Sequence, residues 1–341
     1  MGLIQEKKYY EEINLARGIG MVLVVLGHAF PDSSLGISNQ AGKLVFEFIY
    51  SFHMALFIFL SGFVSSKVVK IVKLKDKFEY IKLRFKRLMV PYICVAIAFT
   101  PLKVLLSRFA NVEYNFSTFW RLLGGDNPNY AMWTLYVLFI LSLLSVCFIN
   151  TNNIKIALIV SLALSVISFI LPKVIVGFDS TLRYSFFYFA GIFFRENYDK
   201  IKFIVCRRTL GFTAMSALFL LNLLYEIASL YMNSKMFDSV KIFTGVAGII
   251  SVLFISVKIC ATSDKALIRR LFNIIGNYSM EIYILSTFIQ PAVRILLWSL
   301  LSLNYIICVF LSWIAGIVIS ILLSKGIINK LNIAKKLLLG A

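Results

Sequence analysis

Arg17 and His28 are the residues best placed to do chemistry. They bracket the first apolar run, Arg17-Gly-Ile-Gly-Met-Val-Leu-Val-Val-Leu-Gly-His28. Ionisable groups inside or at the edge of a membrane span are costly, and those that are kept tend to serve function. The two lie eleven positions apart. At 3.6 residues per turn that is close to three whole turns, so both side chains leave one helix face, roughly 16 Å apart along the axis. An imidazole titrating at about 6.5 can take a proton from a hydroxyl at neutral pH, as a general base. The competing reading of His28 is a buried ring bonded to a neighbouring carbonyl; that of Arg17 is an interfacial arginine reaching for water.

Other side chains extend the pattern. His53, the only other histidine, sits in the second apolar run, either assisting His28 or filling a structural place. Arg84 and Arg87 stand three apart at the start of the third run, and planar guanidinium forks suit phosphate. Glu281 is a rare acid in a late apolar run, able to orient a histidine or pair with an arginine. Trp133 follows a Gly/Asn/Pro loop, Gly124 to Asn129; it is an interfacial anchor or part of a sugar-stacking platform. With two histidines and five scattered cysteines (Cys94, Cys147, Cys206, Cys260 and Cys308), no metal centre and no disulfide framework is expected.

The elements that must carry these groups are membrane helices. Of the 341 residues 60% are hydrophobic and 15% charged, and mean hydropathy is +0.86. Apolar stretches near helix-span length recur along the whole chain, which predicts an all-α polytopic membrane protein, a single membrane domain over 1–341. The short alternating segments of an outer-membrane barrel are absent. The first residues, Met1 to Glu12, are polar, so no cleavable leader is expected, and Glu6 stands where a myristoylation motif wants Ser or Thr.

The pattern predicts about ten transmembrane helices, near 13–31, 44–64, 88–106, 131–149, 154–171, 182–194, 209–231, 242–260, 274–297 and 304–324. The sixth is short and contains Arg183. Net charge is +19, with 35 Lys and Arg against 16 Asp and Glu. The basic residues concentrate in alternate loops: Lys67 to Arg87, Arg195 to Arg208, Lys265 to Arg270, and the tail from Lys325 to Lys336. The intervening loops 32–43, 172–181 and 298–303 are nearly free of them. Both termini and the basic loops are therefore expected to be cytoplasmic, and the charge to serve topology and anionic lipid rather than nucleic acid.

Several blocks together resemble a known family. Ala16-Arg17-Gly18-Ile19-Gly20 through Val25-Leu26-Gly27-His28 is similar to the first-helix signature of the membrane-bound acyltransferase family 3. Phe52-His53-Met54 through Ser61-Gly62-Phe63 resembles the second block, with Ala55 where relatives usually carry Pro. Arg84 to Tyr92 resembles an Arg-x-x-Arg followed by a Pro-Tyr helix start. Trp133-Thr134-Leu135 falls where relatives have Trp-Phe-Leu, Ser185 to Phe194 resembles an aromatic-Gly block, and Asn277 to Leu285 resembles a late Ser-x-Glu-Ile-Tyr block. The fucose 4-O-acetylase-like branch is the most similar. Relatives often have His at the position of Ser286, so no role for a histidine there carries over.

The resemblance implies an integral-membrane O-acyltransferase, expected to be an O-acetyltransferase. It would move an acyl group from cytosolic acyl-CoA, a co-substrate rather than a tightly bound cofactor, to a hydroxyl of a cell-surface or lipid-linked glycan. His28, assisted by His53, would be catalytic, and Arg17, Arg84 and Arg87 would bind the donor. The expected place is a bacterial inner (plasma) membrane, with lipids as partners. Two other classes remain open at this point: a glycan transporter or flippase, and a non-catalytic export subunit. The acceptor, the acyl chain and the oligomeric state are not legible.

Overall fold

The computed structural model describes residues 9–30, 40–105, 116–171, 175–231 and 239–340. Most of the loop expected at 32–43 and the start of that at 172–181, with Lys173, lie outside the described residues. Among the described residues the fold is all helical, with no strand.

Among the described residues, seven helical segments are long and apolar enough to cross a membrane: Glu11–Ala29, Gly42–Lys70, Tyr130–Phe148, Arg208–Ala228, Val240–Cys260, Ser279–Trp298 and Tyr305–Ile328. The first helix, α1 (Glu11–Ala29), carries Arg17 and His28. The second segment is two helices, α2 (Gln40–Tyr50) and α3 (His53–Ser65). Helix α4 (Leu74–Arg84) passes through a widened turn at Phe85–Met89 into α5 (Val90–Leu105). Then come α6 (Trp133–Phe148), α7 (Ile154–Ile167), α8 (Val176–Glu196), α9 (Tyr198–Val205), α10 (Arg208–Tyr231), α11 (Val240–Cys260), α12 (Leu267–Asn277), α13 (Ser279–Arg294), α14 (Tyr305–Leu323) and α15 (Asn332–Leu339).

The spans expected at 88–106, 154–171 and 182–194 are α5, α7 and α8. The first two are shorter than the seven long spans. Helix α8 is longer than expected, at 21 residues, because it runs on through Asp179 and Arg183 at one end and Arg195 and Glu196 at the other.

Local chemistry sets the breaks. Ser51 Oγ donates back to the Phe48 carbonyl at 2.8 Å, and Thr244 Oγ1 of α11 donates to the Ser51 carbonyl at 3.0 Å. A carbonyl leaving the helix ladder is thus satisfied where α2 ends, and α3 begins anew at His53. Pro91 has no N–H to give the Arg87 carbonyl, and the turn just before it widens, with the Val90 N–H reaching Phe85. Asn129 and Asn304 cap helix starts, accepting from the N–H groups of Ala131 (3.3 Å) and Ile306 (2.9 Å).

Glycines let the functional helices touch. A Cβ on Gly62 would lie 2.0 Å from the Tyr188 carbonyl oxygen, and one on Gly191 would lie 2.0 Å from that of Phe59. Helices α3 and α8 therefore meet backbone to backbone. Gly18 and Gly276 make the same close approach between α1 and α12, each 2.2 Å from a carbonyl of the other helix, Phe272 and Asn14.

The start of α1 is tied down by charge. Arg269 grips Glu11 with Nε at 2.7 Å and Nη2 at 2.5 Å, Asn273 Nδ2 adds a bond to Glu11 at 2.7 Å, and Lys202 Nζ donates to Glu12 at 2.6 Å. Burial opposes the Lys202 charge, but its bond to Glu12 outweighs this and raises the Lys202 pKa. The N-terminal end of α1, the basic stretch after α8 and the basic stretch before α12 therefore share one end of the bundle.

Candidate active site

One cavity of about 320 Å³ runs along α1, between it and α3, α6 and α8. Arg17, Met21, Val24 and His28 line it at steps of four, three and four residues, one face of one helix. His53, Arg84, Arg87 and Trp133 line the same cavity. Of the residues singled out in the sequence, Glu281 alone does not, although its neighbours Ser279 and Met280 do.

The two ends differ in character. At the end nearer the basic loops are Arg17, Arg84 and Arg87. Arg84 donates from Nε to the Tyr80 hydroxyl at 3.0 Å and from Nη2 to Ser65 Oγ, which fixes the fork. Burial pushes the Tyr80 phenol up to about 12, so it stays protonated and its oxygen accepts from Arg84. Arg17 has no hydrogen-bond acceptor and no ion-pair partner among the described residues, and it feels the charge of Arg87. Glu281, in the first turn of α13, lies in the field of Arg87 and Lys335 rather than beside either histidine. Three guanidinium groups thus converge with one offset acid, and such a place attracts an anion. Arg84 and Arg87 do not sit on one regular turn: Arg84 immediately precedes the widened turn and Arg87 lies within it, and both line the cavity.

Along the middle the wall is mostly apolar, with Met21, Val24, Phe57, Leu60, Leu135 and Leu138, interrupted by the hydroxyls of Ser61, Thr134, Ser142 and Tyr188. At the far end His28 and His53 meet around Tyr50. The Tyr50 hydroxyl lies 3.3 Å from His28 Nδ1, and the Tyr50 ring centroid lies 4.6 Å from that of His53. His53 Nδ1 is 2.9 Å from the Ile49 carbonyl. A carbonyl only accepts, so Nδ1 of His53 carries the proton and Nε2 keeps its lone pair in the neutral ring. His53 is 2% exposed.

Trp133 is half-buried, and its ring tilts 31° against Tyr184, centroids 5.6 Å apart, in the cavity wall. The loop before it is held from inside. Asn127 Nδ2 donates to the Tyr92 carbonyl at 3.0 Å, Asn129 Nδ2 to Thr287 Oγ1 at 2.7 Å, and the Tyr283 hydroxyl to the Ala131 carbonyl.

Sequence reasoning missed Tyr50, Ser65, Tyr80 and Tyr184. Tyr50 stands one turn before His53, a signal that a search for polar neighbours around the histidine would have found. Ser65 and Tyr80 gained their roles only by meeting Arg84 in space.

A family model described as an acyltransferase domain, that of acyltransferase family 3, matches residues 10–325. The match covers far more than half the chain, so the chain belongs to the acyltransferase 3 family. No curated protein and no solved structure matches it.

Proposed function

We propose that this family member is an O-acetyltransferase that moves an acetyl group from cytosolic acetyl-CoA to a hydroxyl of a cell-surface or lipid-linked glycan. Its family makes it an acyltransferase of a membrane. The observation that carries the finer reading is a cavity that is cationic at one end and histidine-bearing at the other. The ends lie roughly 16 Å apart along α1, a separation suited to a thioester reaching inward from phosphates held at the mouth.

In this reading Arg17, Arg84 and Arg87 hold the phosphates, and the apolar middle takes the pantetheine arm and excludes water. His28 accepts the proton of the acceptor hydroxyl as its oxygen attacks the thioester carbonyl. The new C–O bond forms, the C–S bond breaks, and the proton passes to the departing CoA thiolate. His53 assists through Tyr50, which stands between the rings. Trp133 with Tyr184 offers a stacking face for a sugar. The orientation follows from the loop charges: both termini and 65–87 cytoplasmic, with about ten crossings once α5, α7 and α8 are counted with the long spans. The membrane is the plasma membrane of a bacterium.

The test is transfer of radiolabelled acetyl groups from acetyl-CoA to a glycan acceptor by purified protein. A general base contributes about 10²- to 10⁴-fold, so His28→Ala should fall well below about a tenth of wild-type transfer while its melting temperature stays near wild type. Residual transfer above that fraction makes His53 the base; loss together with collapsed stability assigns His28 a structural role.

A further inference from the structure

A second, smaller recess opens beside the histidine end. It has a volume of about 30 Å³ and shares Tyr50, Met54 and Tyr184 with the main cavity. Two cations line it, Arg183 of α8 and Lys241 of α11. The Arg183 guanidinium carbon lies 4.6 Å from the centroid of the Phe169 ring, and Lys241 Nζ lies 5.2 Å from that of Tyr225. Among the described residues Arg183 makes no hydrogen bond and no ion pair, so its N–H groups are held in place by a ring and left without acceptors. Both cations are half-buried. Positive-inside topology does not explain them. On the orientation proposed above they face away from the basic loops, and the membrane favours few Lys and Arg there. A partly desolvated, unpaired guanidinium beside an ammonium is an environment that an oxyanion stabilises.

We infer that the Arg183–Lys241 recess binds a negatively charged group of the acceptor, a carboxylate or phosphate, and so makes the enzyme selective for an anionic glycan. The inference rests on the acetyl-transfer reading above, since it takes the Tyr50 end as the acceptor end. Size supports it. A water needs roughly 10–15 Å³ of such volume, so the recess takes about two oxygen-sized atoms and no sugar ring. The two oxygens of a carboxylate or phosphate enter, and the sugar stays in the main cavity over Trp133 and Tyr184. Tyr50, common to both spaces, then links the bound anion to His28.

The experiment measures equilibrium binding to purified protein in nanodiscs, without acetyl-CoA. The probes are octyl glucoside (neutral), octyl glucuronide (carboxylate on the sugar) and glucose linked through phosphate to an octyl chain. A charge-assisted hydrogen bond is worth about ten- to a hundredfold in affinity. At least one charged probe should bind wild type more tightly than octyl glucoside by about that factor. Arg183→Gln should remove most of this advantage and Arg183→Lys restore part of it, because a point charge replaces the planar fork only partly. Lys241→Gln, on a different helix, should also reduce it and guards against a folding defect in the first variant. The charged probe that carries the advantage identifies its source, the sugar or its lipid linkage. Equal binding of all three probes to wild type, or an advantage unchanged in both glutamine variants, overturns the inference. Binding needs no turnover, so an absence of acetyl transfer would count against the enzymatic reading and not against this recess.

Discussion

At the scale of single residues, the arginine end and the histidine end make separable predictions. Arg84 and Arg87 both face the cavity, the first fixed by Tyr80 and Ser65. A lost charge-assisted bond weakens binding by about ten- to a hundredfold. Arg84→Ala and Arg87→Ala should each raise the KM for acetyl-CoA by about that factor and leave the acceptor KM nearly unchanged. Lysine should rescue only in part. Steady-state kinetics with each substrate varied in turn checks this, and unchanged donor KM in both variants would make these arginines topology signals only. Tyr50 lies 3.3 Å from His28 and packs against His53. Tyr50→Phe keeps the ring contacts and removes the hydroxyl. A neutral hydrogen bond contributes about 0.5–1.5 kcal/mol, so the variant should lose about tenfold in kcat or less, with little change in melting temperature. A loss as deep as that of His28→Ala would make Tyr50 a direct participant in proton transfer.

At the scale of elements, the site depends on how closely α3 and α8 approach. Any side chain on Gly62 or Gly191 collides with a carbonyl 2.0 Å away. Overpacking a well-filled interior costs about 1–3 kcal/mol, and a backbone contact relaxes poorly. Gly62→Ala and Gly191→Ala should therefore lower the melting temperature in detergent and reduce transfer together, whereas Gly326→Ala, with open space around it, should do neither. These glycines were legible as small residues in apolar runs, but their partners were not, because contact between distant helices has no local signature. The break between α2 and α3 was hidden for a related reason. Periodicity across 44–64 is continuous, and the Ser51 carbonyl freed where α2 ends is satisfied by the hydroxyl of Thr244, nearly two hundred residues away, which donates to it. The long charged ends of α8 also contradicted a hydropathy window: Arg183 and Arg195 are accommodated by aromatic rings, those of Phe169, Tyr10 and Phe63. By contrast, the alignment of Arg17 with His28 followed from helix geometry alone, and both line one cavity.

At the scale of the whole molecule, the account is one of sidedness. The N-terminal end of α1 is bound to Arg269 and Lys202, so the basic stretches gather at the end that carries Arg17, Arg84 and Arg87. Single cysteines placed between 67 and 77, in a background without the five native cysteines, should react with an impermeant maleimide only from the cytoplasmic side; labelling from outside would invert the orientation and remove the donor assignment with it. The most direct test of the central claim uses the purified protein in sealed vesicles of known orientation, with a glycan acceptor on both sides and radiolabelled acetyl-CoA on one. Label should reach the acceptor when acetyl-CoA is on the side of residues 65–87, should not when it is on the other side, and should be lost in His28→Ala protein of unchanged melting temperature. Transfer that ignores the side of acetyl-CoA, or that persists in His28→Ala, would contradict a cavity that takes its donor at the arginine end and reacts at His28.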